Sequence, residues 1–379
     1  MTAMESHEHY MTLALQQGKL AQLIARPNPA VGCVLVKSGQ VVGAGYTQEA
    51  GGPHAEVMAI RAAGAHAHGA TAYVTLEPCS HYGRTPPCSL GLIEAGIARL
   101  VFGCQDPNPQ VAGQGLAQLA AAGIEVIGPI LEHESRASNA GFLTRMANKK
   151  PLVTCKLAMS LDGRTAMESG ESQWITGPEA RAQVHLMRAQ SCAVITGIGS
   201  ILHDNPSMNA RAEELALAGI DESTLGRFQQ PLRMVVDSHL RLPSNAKLVE
   251  QTGPILVATC EADTTKHQEL EAKGVEVLVC PADAEGKVDL NALLLELGGR
   301  QCNQVLLEAG ASLSGAFLQA GLIDRLTVFM APKLLGSSAR ALFQLPLDEM
   351  TQAFGLEIEG MTQVGQDWRI DAVPKHADS

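Results

Sequence analysis

The chain has 379 residues, enough for two or three domains of ordinary size. Hydrophobic residues make up 46% of the chain and charged residues 18%, a balance that excludes an intrinsically disordered protein. Lys and Arg number 28 against 39 Asp and Glu, so the net charge is -11, and aromatic residues make up only 3%. This composition argues against nonspecific nucleic-acid binding, which depends on basic side chains and on aromatic rings that stack on bases.

The sequence predicts neither a secretory signal nor a membrane span. The first ten residues lack a basic segment followed by an apolar one, and no apolar run is long enough to cross a bilayer. The nine cysteines are an odd number, and most of them lie in apolar, strand-like segments. This pattern is typical of reduced, buried thiols, so we expect a cytoplasmic protein with no membrane partner.

Apolar segments of β-strand character alternate with helical patterns, which predicts an α/β protein. In the first part, helices are predicted over residues 8–24, 54–64, 89–96 and 114–122, and strands over 31–36, 40–44, 71–76, 99–103 and 125–127. A polar stretch then ends at Pro151, just before another strand. We therefore predict two domains, over residues 1–147 and 148–379.

The second part has its own alternating series of elements. Helices are predicted over residues 178–189, 265–273, 290–297 and 313–320, and strands over 152–158, 192–196, 232–237, 255–259, 275–279, 304–308 and 325–332. The acidic stretch over 211–230 is expected to be partly helical and peripheral. The two parts show no internal repeat, so they are expected to be different domains.

The strongest chemical signal is a set of four residues in the first part. His54 and Glu56 lie at the start of a predicted helix, Cys79 follows a predicted strand, and Cys88 comes just before the next helix. One imidazole and two thiolates give zinc three ligands and leave a fourth position for water, as in catalytic sites. Zinc lowers the pKa of bound water to about 7, and a carboxylate that is not a ligand can carry its proton. This order of residues is typical of zinc-dependent nucleoside and nucleobase deaminases.

Two other interpretations of the same residues are a closed structural zinc knuckle and a set of ordinary buried cysteines. A knuckle needs a fourth protein ligand, for which His81 is the only nearby candidate. The catalytic interpretation predicts one zinc ion held by His54, Cys79 and Cys88, with Glu56 as the proton shuttle.

Eight residues separate Cys79 from Cys88, whereas such sites usually have two residues between the cysteines. The segment CSHYGRTPPC over 79–88 resembles the long-loop signature of the bifunctional riboflavin-biosynthesis deaminase/reductase family. The segments RPNPAVGC over 26–33 and QDPNPQVAGQG over 105–115 resemble its other deaminase motifs. The resemblance implies an N-terminal cytidine-deaminase-like α/β/α sandwich that acts on a diaminopyrimidinone carrying a ribose phosphate.

The resemblance also implies substrate contacts from loop residues of the first domain. These are Asn28 and Arg84, with His81 and Asn108 as further candidates. Without the resemblance, each would be interpreted as an ordinary loop residue. Arg84 suits a phosphorylated substrate because a guanidinium group keeps its charge at any pH and binds oxyanions with a fork of donors.

The second part has no cluster of cysteine and histidine, and its glycine-rich stretches over 197–202 and 308–316 are weak signals by themselves. Its motifs nevertheless resemble the reductase domain of the same family: KLAMSLDGR over 156–164, SGESQWIT over 169–176, HDNPSMNAR over 203–211 and APKLLG over 331–336. The resemblance therefore covers residues 8–370. It implies a C-terminal dihydrofolate-reductase-like α/β domain that uses NADPH.

Carried over position by position, the resemblance implies two groups of NADPH contacts. The scattered contacts are Ala158, Trp174, Ser200, Asp204 and Ser238. The others are seven consecutive residues: Gly310, Ala311, Ser312, Leu313, Ser314, Gly315 and Ala316. Trp174 is expected either to stack on a flat ring or to be a half-buried core residue. Asp204 is the one nearby carboxylate that we consider as a proton donor.

The substrate contacts that the resemblance implies in the second domain are Ser172, Arg188, Met208, Arg211 and Glu308. Arg188 and Arg211 are fixed cations that suit a phosphate group. Glu308 can accept hydrogen bonds from ribose hydroxyl groups or from ring N–H groups.

The implied function is a bifunctional enzyme of riboflavin biosynthesis. Zinc-dependent hydrolytic deamination of 2,5-diamino-6-(5-phosphoribosylamino)pyrimidin-4(3H)-one would be followed by NADPH-dependent reduction of the ribosyl chain, giving 5-amino-6-(5-phosphoribitylamino)uracil. A homo-oligomer is expected on the same basis. Two alternatives stay open: a nucleic-acid editing deaminase, against which the net charge of -11 counts, and a regulatory or scaffold protein with decayed sites. The second alternative is harder to dismiss for the second domain, where no single residue indicates chemistry.

Overall fold

A computed structural model describes residues 3–109, 111–262 and 265–375 of the chain. The chain forms two compact units, Met1–Lys149 and Lys150–Ser379. The boundary predicted from the sequence, between residues 147 and 148, lies two residues before this division. The last helix of the first unit ends at Asn148 and so extends into the polar stretch that suggested the boundary.

The first unit contains a five-stranded sheet in the order β2-β1-β3-β4-β5, in which β1 is antiparallel to both neighbours and the other pairs are parallel. The strands are β1 (Gly32–Lys37), β2 (Gln40–Tyr46), β3 (Thr71–Leu76), β4 (Arg99–Cys104) and β5 (Glu125–Ile127). The helices are α1 (Ala3–Ala21), α2 (Ala55–Ala63), α3 (Cys88–Glu94), α4 (Gln114–Ala121), α5 (Glu132–Ser138) and α6 (Ala140–Asn148). The sequence predicts all of these except α5 and α6. In α5 only Ser135 is buried, so the helix has no apolar stripe to recognise.

Helices cover both faces of this sheet. On one face, Met11 of α1 packs with Val34 and Tyr73. On the other face, Ala59 of α2 belongs to a separate apolar cluster with Leu35. The first unit is thus an α/β/α sandwich, and the architecture implied by the resemblance is confirmed.

Helix α2 lies unusually close to the sheet because two residues of β2 are glycines. A Cβ atom on Gly43 would lie 2.3 Å from the carbonyl oxygen of Ala59, and one on Gly45 would lie 2.5 Å from the backbone nitrogen of Ala59. Only glycine fits at such distances. This close packing fixes the N-terminus of α2, where His54 and Glu56 lie.

The second unit contains a nine-stranded sheet in the order β11-β10-β9-β8-β12-β6-β13-β16-β15, together with a short β7–β14 pair. The strands are β6 (Leu152–Ser160), β7 (Arg164–Ala166), β8 (Ala193–Gly197), β9 (Leu232–Val236), β10 (Ile255–Thr259), β11 (Val275–Val279), β12 (Gln304–Leu307), β13 (Arg325–Ala331), β14 (Arg340–Ala341), β15 (Leu356–Val364) and β16 (Asp367–Pro374). The helices are α7 (Pro178–Gln190), α8 (Ile198–Asp204), α9 (Ala212–Leu217), α10 (Glu222–Leu225), α11 (Lys247–Glu250), α12 (Thr265–Glu271), α13 (Leu290–Gly299) and α14 (Ala311–Gln319). All neighbouring strands from β11 to β13 are parallel, whereas β16 and β15 add an antiparallel hairpin.

The prediction for the second unit missed the C-terminal hairpin, α8, the short helix α11 and the β7–β14 pair. Strand β15 is exposed along nearly its whole length, so no alternation of buried and exposed residues marks it. Helix α8 begins within the glycine-rich stretch over 197–202, which suggested a turn. The partly helical character of the acidic stretch is confirmed by α9 and α10, in which only Leu215 is buried.

The parallel strands of the second unit end at one common edge of the sheet. Gly197 ends β8, Asp237 and Ser238 follow β9, and Glu308 follows β12. Ligands of open α/β sheets bind at this edge, beyond the carboxyl ends of the strands. Within the described residues, none of the helices is both long and apolar enough to cross a membrane.

Candidate active sites

The three predicted zinc ligands lie together in the first unit. Cys79 follows β3, Cys88 is the first residue of α3, and His54 directly precedes α2. Their donor atoms all lie within 4.8 Å of one another. His54 Nδ1 is 3.2 Å from Cys88 Sγ and 3.7 Å from Cys79 Sγ, whereas its Nε2 lies 3.2 Å from Thr85 Oγ1. The Thr85 hydroxyl therefore fixes the orientation of the ring, as outer partners of metal-binding histidines do.

The two sulfur atoms differ in their affinity for protons. Hydrogen bonding to Cys88, helped by His54 and opposed by burial, lowers the pKa of Cys79 to about 4. The same contact with Cys79, together with burial, raises the pKa of Cys88. The neighbouring protein groups thus favour the thiolate form of Cys79 and the thiol form of Cys88. One imidazole and two sulfur donors form a ligand set that zinc prefers, so the residues present fit this metal.

The closed zinc knuckle is not formed by the described residues, because His81 is not part of the donor cluster. Two buried side-chain atoms of the following loop, Ser80 Oγ and His81 Nδ1, have no hydrogen-bond partner. Buried polar atoms without a partner cost free energy unless a ligand or water satisfies them. Their position directly after Cys79 is therefore consistent with an open substrate pocket at the metal centre.

Glu56 lies in the first turn of α2 and is 4% exposed. Burial and then the neighbouring Cys79 raise the pKa of the Glu56 carboxyl group, whereas His54 acts in the opposite direction. Glu56 is not one of the three donors in the metal cluster. A buried carboxyl group beside the ligands, but separate from them, is suited to carrying protons.

Sequence reasoning missed the role of Glu77, which lies at the end of β3. Its buried carboxylate accepts hydrogen bonds from the backbone N–H groups of Asp106, Gly113 and Gly115, at 3.3, 3.0 and 3.1 Å. These bonds tie the loop that carries Asn108 to the strand that leads to the cysteine ligand. The only signal in the sequence is a carboxylate directly after an apolar strand.

The remaining predicted substrate contacts of the first unit lie in loops. Asn28 is half-buried before β1, in a loop held by Asn139. The Asn139 side chain accepts a hydrogen bond from the Ala30 backbone N–H at 2.7 Å and donates one to the Ala30 carbonyl at 3.2 Å. Arg84 is exposed in the loop that joins the two cysteine ligands. The substrate contacts of Asn28 and Arg84 stay predictions.

The second unit contains a cleft of 1430 Å³ at the carboxyl ends of its parallel strands. Pockets for one small molecule typically span about 300–1000 Å³, so this cleft has room for a cofactor and a substrate together. All the contact residues predicted for the second domain line the cleft except Ser314 and Gly315. The sequence therefore identified residues from several distant segments that the fold brings to one place.

Ser314 and Gly315 do not line the cleft but pack into the protein, and their contacts with NADPH stay a prediction. The Ser314 hydroxyl is buried and donates to the Ala309 carbonyl at 3.3 Å. A Cβ atom on Gly315 would lie 2.3 Å from the Gln344 carbonyl oxygen. The physical reason is that α14 begins at Ala311, and a helix turns successive residues in different directions.

Arg188 and Glu308, which were predicted as separate substrate contacts, bind each other. Arg188 donates two hydrogen bonds to the Glu308 carboxylate, at 2.6 and 3.0 Å, and a third to the Asn209 carbonyl at 3.0 Å. Lys156 lies 3.4 Å from the same carboxylate. Burial raises the pKa of Glu308, but Arg188 and Lys156 outweigh burial and lower it to about 2. The cleft therefore has a fixed, ionised carboxylate on its wall.

His185 is a second residue of the cleft that sequence reasoning missed. It lies on α7, is 4% exposed, and contacts Arg211 through both ring nitrogens. Burial, then the charges of Arg188 and Arg211, lower the pKa of His185 to about 3. The ring is therefore neutral at physiological pH. The only signal in the sequence is that His185 lies three residues before Arg188, a spacing that puts both on one helix face, and it does not indicate the contact with Arg211.

Trp174 is not the half-buried core residue that was one of its two interpretations. Its side chain is 59% exposed on the wall of the cleft. The Arg181 guanidinium lies 4.6 Å from the centre of its ring, and Lys333 donates a hydrogen bond to its backbone carbonyl at 2.7 Å. The cation–π contact and this hydrogen bond hold the indole in an exposed position where a flat ring can stack on it.

Comparison with protein families divides the chain in the same way. The model of the family described as cytidine and deoxycytidylate deaminase zinc-binding region matches residues 4–104. The model of the family described as RibD C-terminal domain matches residues 151–370. The first match contains all three donors of the metal cluster, and the second contains the cleft.

Full-length relatives and solved structures agree with this division. The riboflavin biosynthesis protein RibD of Escherichia coli (strain K12) is 48% identical over 366 residues, covering 95% of this chain and 97% of the relative. That of Haemophilus influenzae is 46% identical and covers 97% of each chain. Acinetobacter baumannii RibD, form 2, has a TM-score of 0.89 at 43% identity, covering 99% of this chain and 100% of that structure. A deaminase/reductase structure from Thermotoga maritima has a TM-score of 0.85 at 31% identity, with the same coverage. The chain therefore belongs to the RibD family of riboflavin biosynthesis proteins and is a bifunctional enzyme, a deaminase and a reductase.

Proposed function

We propose that the first unit deaminates 2,5-diamino-6-(5-phosphoribosylamino)pyrimidin-4(3H)-one and that the second unit then reduces the ribosyl chain of the product with NADPH. The observation that carries the proposal is the cluster of His54, Cys79 and Cys88 beside buried Glu56, in a chain whose other unit has its own cleft. The T. maritima structure bears the name of the same two activities, a diaminohydroxyphosphoribosylaminopyrimidine deaminase and a 5-amino-6-(5-phosphoribosylamino)uracil reductase.

In the deaminase site, His54, Cys79 and Cys88 would hold one zinc ion. Zinc bound there supplies a Lewis acid that activates water for attack on the ring carbon that bears the amino group. Glu56 takes up the proton that the water loses and delivers it to the amino nitrogen. The C–N bond breaks and a C=O bond forms, so that one water is consumed and one ammonia is released.

In the reductase site, the chain positions two bound molecules against each other. NADPH supplies a hydride, and the open-chain ribose, an imine at C1, becomes an amine when it gains that hydride and a proton. The free backbone N–H groups at the N-terminus of α14 bind phosphate oxygens of the cofactor, next to Gly310. Trp174 stacks on a ring, and Arg211 binds the phosphate group of the substrate.

Metal analysis and cofactor titration test the two halves of the proposal separately. We expect one zinc per chain in the wild type, loss of zinc in Cys88→Ser, and retention in Glu56→Gln. NADPH should quench the Trp174 fluorescence in a saturable way. Trp368→Phe should keep this signal and Trp174→Phe should lose it. A zinc-free wild type, or no saturable quenching, would contradict the corresponding half.

We also propose that the chain forms a homo-oligomer through its C-terminal hairpin. Strand β15 is the edge of the nine-stranded sheet, and Leu356, Ile358 and Met361 on it are 45%, 59% and 52% exposed. Trp368 on the neighbouring strand is 40% exposed. An apolar sheet edge of this kind is a template for association with a second copy. Light scattering should show a smaller species for Ile358→Lys but not for Thr362→Lys, a matched charge on the same strand.

We place the enzyme in the cytoplasm. This is supported by the nine cysteines, none of which forms a disulfide in the part of the chain that the structure describes, and six of which are buried. The partners that we propose are the small phosphorylated pyrimidine and NADPH. A nucleic-acid partner is not proposed, because the net charge of -11 opposes binding to a phosphate backbone.

A further inference from the structure

We propose that His185 is a positioning residue of the reductase site, which holds the Arg211 guanidinium in place for the phosphate group of the substrate. The inference deepens the proposed function and rests on it, because there Arg211 binds that phosphate. His185 itself makes no contact with substrate in this account and acts only through Arg211.

The two side chains are in direct contact in the wall of the cleft. His185 Nε2 lies 2.9 Å from Arg211 Nη2 and 3.3 Å from Arg211 Nε. The backbone nitrogen of Arg211 lies 3.1 Å from Nδ1 of the same ring. His185 thus faces both the main chain and the side chain of one arginine, and it lies on α7, a different element from the one that carries Arg211.

A neutral imidazole has one donor nitrogen and one acceptor nitrogen, whereas a guanidinium group has only donors. Nε2 faces the guanidinium, so the tautomer with its proton on Nδ1 accepts a hydrogen bond from that group. Nδ1 faces the Arg211 backbone N–H, so the tautomer with its proton on Nε2 accepts a hydrogen bond from the main chain of the same residue. Because the donor is charged, the bond from Arg211 to Nε2 is stronger than an ordinary neutral hydrogen bond.

The burial and the charges around His185 keep this acceptor available. The ring is 4% exposed, and burial followed by the charges of Arg188 and Arg211 keeps its pKa near 3. A protonated ring would lose the acceptor and repel both arginines. The neutral state that the surroundings enforce is thus the state in which His185 can hold Arg211.

Arg211 has donors to spare for a ligand, whereas Arg188, the other arginine predicted to contact the substrate, has fewer. The Arg188 fork is occupied by Glu308 and by a backbone carbonyl. The Arg211 side chain is 50% exposed, and one of its nitrogens lies 3.3 Å from Glu214. A long side chain that is half exposed loses much conformational freedom when it binds an anion. Contact with a rigid ring reduces that loss before the substrate arrives.

The test uses two substitutions at position 185 in the full-length enzyme with saturating NADPH. Leu in His185→Leu fills similar space without an acceptor, whereas Gln in His185→Gln keeps a polar acceptor near the position of Nε2. A hydrogen bond to a charged group changes an equilibrium by about 10- to 100-fold, so we expect His185→Leu to raise the KM for 5-amino-6-(5-phosphoribosylamino)uracil by this factor. We expect the kcat of His185→Leu and its KM for NADPH to stay within about threefold of the wild-type values. His185→Gln should have a KM for the phosphorylated substrate within about threefold of wild type.

Two comparisons separate positioning from a general structural role. For the dephosphorylated form of the same substrate, His185→Leu and wild type should have equal KM values. In the double variant Arg211→Gln/His185→Leu, the KM for the phosphorylated substrate should equal that of Arg211→Gln alone, because the histidine acts through the arginine.

The outcomes also separate this inference from the function on which it rests. If Arg211→Gln raises the KM but His185→Leu does not, or if the two effects add in the double variant, the role of His185 is refuted and the phosphate role of Arg211 stands. If Arg211→Gln leaves the KM unchanged, the phosphate role of Arg211 is refuted, and the role of His185 with it. An equal rise of KM for phosphorylated and dephosphorylated substrates would also refute the role of His185.

Discussion

The metal centre of the first unit and the cleft of the second differ in how their chemistry is distributed along the chain. In the metal centre, four side chains between His54 and Cys88 include every donor of the cluster and Glu56, the proton carrier that we propose. In the cleft, the walls come from segments between Lys156 and Leu345, and the polar groups mostly bind one another. The first site is a short motif, whereas the second exists only once the sheet has formed.

This difference has a physical origin. A metal ion selects the identity of its donor atoms, so histidine and cysteine are required at fixed positions and are easy to recognise. A dinucleotide is held largely by backbone N–H groups and by shape, which many side chains can provide. We therefore expect substitutions at the metal centre to abolish deamination, whereas substitutions in the cleft should change stability and ligand affinity by smaller amounts.

The largest effect is expected from removal of the metal. A chelator that strips zinc should abolish deamination, because His54, Cys79 and Cys88 alone do not activate water at neutral pH. The rate of NADPH oxidation with a substrate that is already deaminated should be unchanged. Restoration of deamination by added zinc is the control. A parallel loss of both activities would contradict the separation of the two sites.

Substitution of the proton carrier tests the first site without removing its metal. Glu56→Gln should lower the kcat of deamination by about 10²- to 10⁴-fold, the usual contribution of general acid–base catalysis. Zinc content and reductase activity should match wild type. Glu94→Gln, in the same unit but outside the cluster, is the matched control and should have no effect. Deaminase turnover of Glu56→Gln at the wild-type rate would show that another group carries the proton.

In the second unit, breaking the buried ion pair should lower stability. Arg188→Ala leaves the Glu308 carboxylate buried with only Lys156 near it, and removal of one partner of a buried pair typically costs about 3–5 kcal/mol. Both tryptophans of the chain lie in the second unit, so their fluorescence during denaturation reports on this unit alone. Arg300→Ala removes partly exposed ion pairs in the same unit and should cost about 1 kcal/mol or less. Equal losses for the two variants would contradict the importance of the buried pair.

The pH dependence of stability gives a smaller but more specific effect. The pKa of His185 is about 3 in the folded protein and that of a free histidine about 6.5. The unfolded state therefore binds more protons, so the contribution of the neutral ring is present above pH 6.5 and is lost as the pH falls toward 3. The pKa of Glu308 is lowered to about 2 in the folded protein. Its contribution to stability is therefore also lost as the pH falls, but only below about pH 4.5.

Between pH 6.5 and 4.5, the unfolding free energy of the second unit should fall by up to about 1.4 kcal/mol per pH unit because of His185 alone. In His185→Gln, which has no titrating group at this position, that part of the slope should disappear. Tryptophan fluorescence in urea at pH 7, 6 and 5 measures the difference between the two proteins. Identical slopes would show that His185 does not stay neutral in the folded protein.

Most of the sheet in each unit could be predicted from the sequence because the strands are apolar, and in the first unit Gly64, Gly96 and Gly123 lie just after helices with positive φ angles. The hairpin of β15 and β16 could not, because β15 lies at a sheet edge with most of its residues exposed. Helix α5 was missed for the same reason, since it buries only Ser135. Burial leaves a pattern in the sequence, and elements that are not buried leave none.

The candidate sites follow the same rule. The donors of the metal cluster and Glu56 could be named because the proposed chemistry requires their residue types, and the resemblance supplied most residues of the cleft. The contact between His185 and Arg211 and the hydrogen bonds of Glu77 could not be predicted, because each joins segments that only the folded chain brings together. The pairing of Arg188 with Glu308 likewise depends on a separation of 120 residues.

A mass-resolved assay of the purified enzyme with 2,5-diamino-6-(5-phosphoribosylamino)pyrimidin-4(3H)-one, with and without NADPH, tests both proposed reactions and their order in one experiment. We expect the deaminated product without NADPH, and the deaminated and reduced product only when NADPH is added. Deamination without any consumption of NADPH would contradict the reductase role of the cleft. Reduction of a substrate that still carries its amino group would contradict the order of the two reactions.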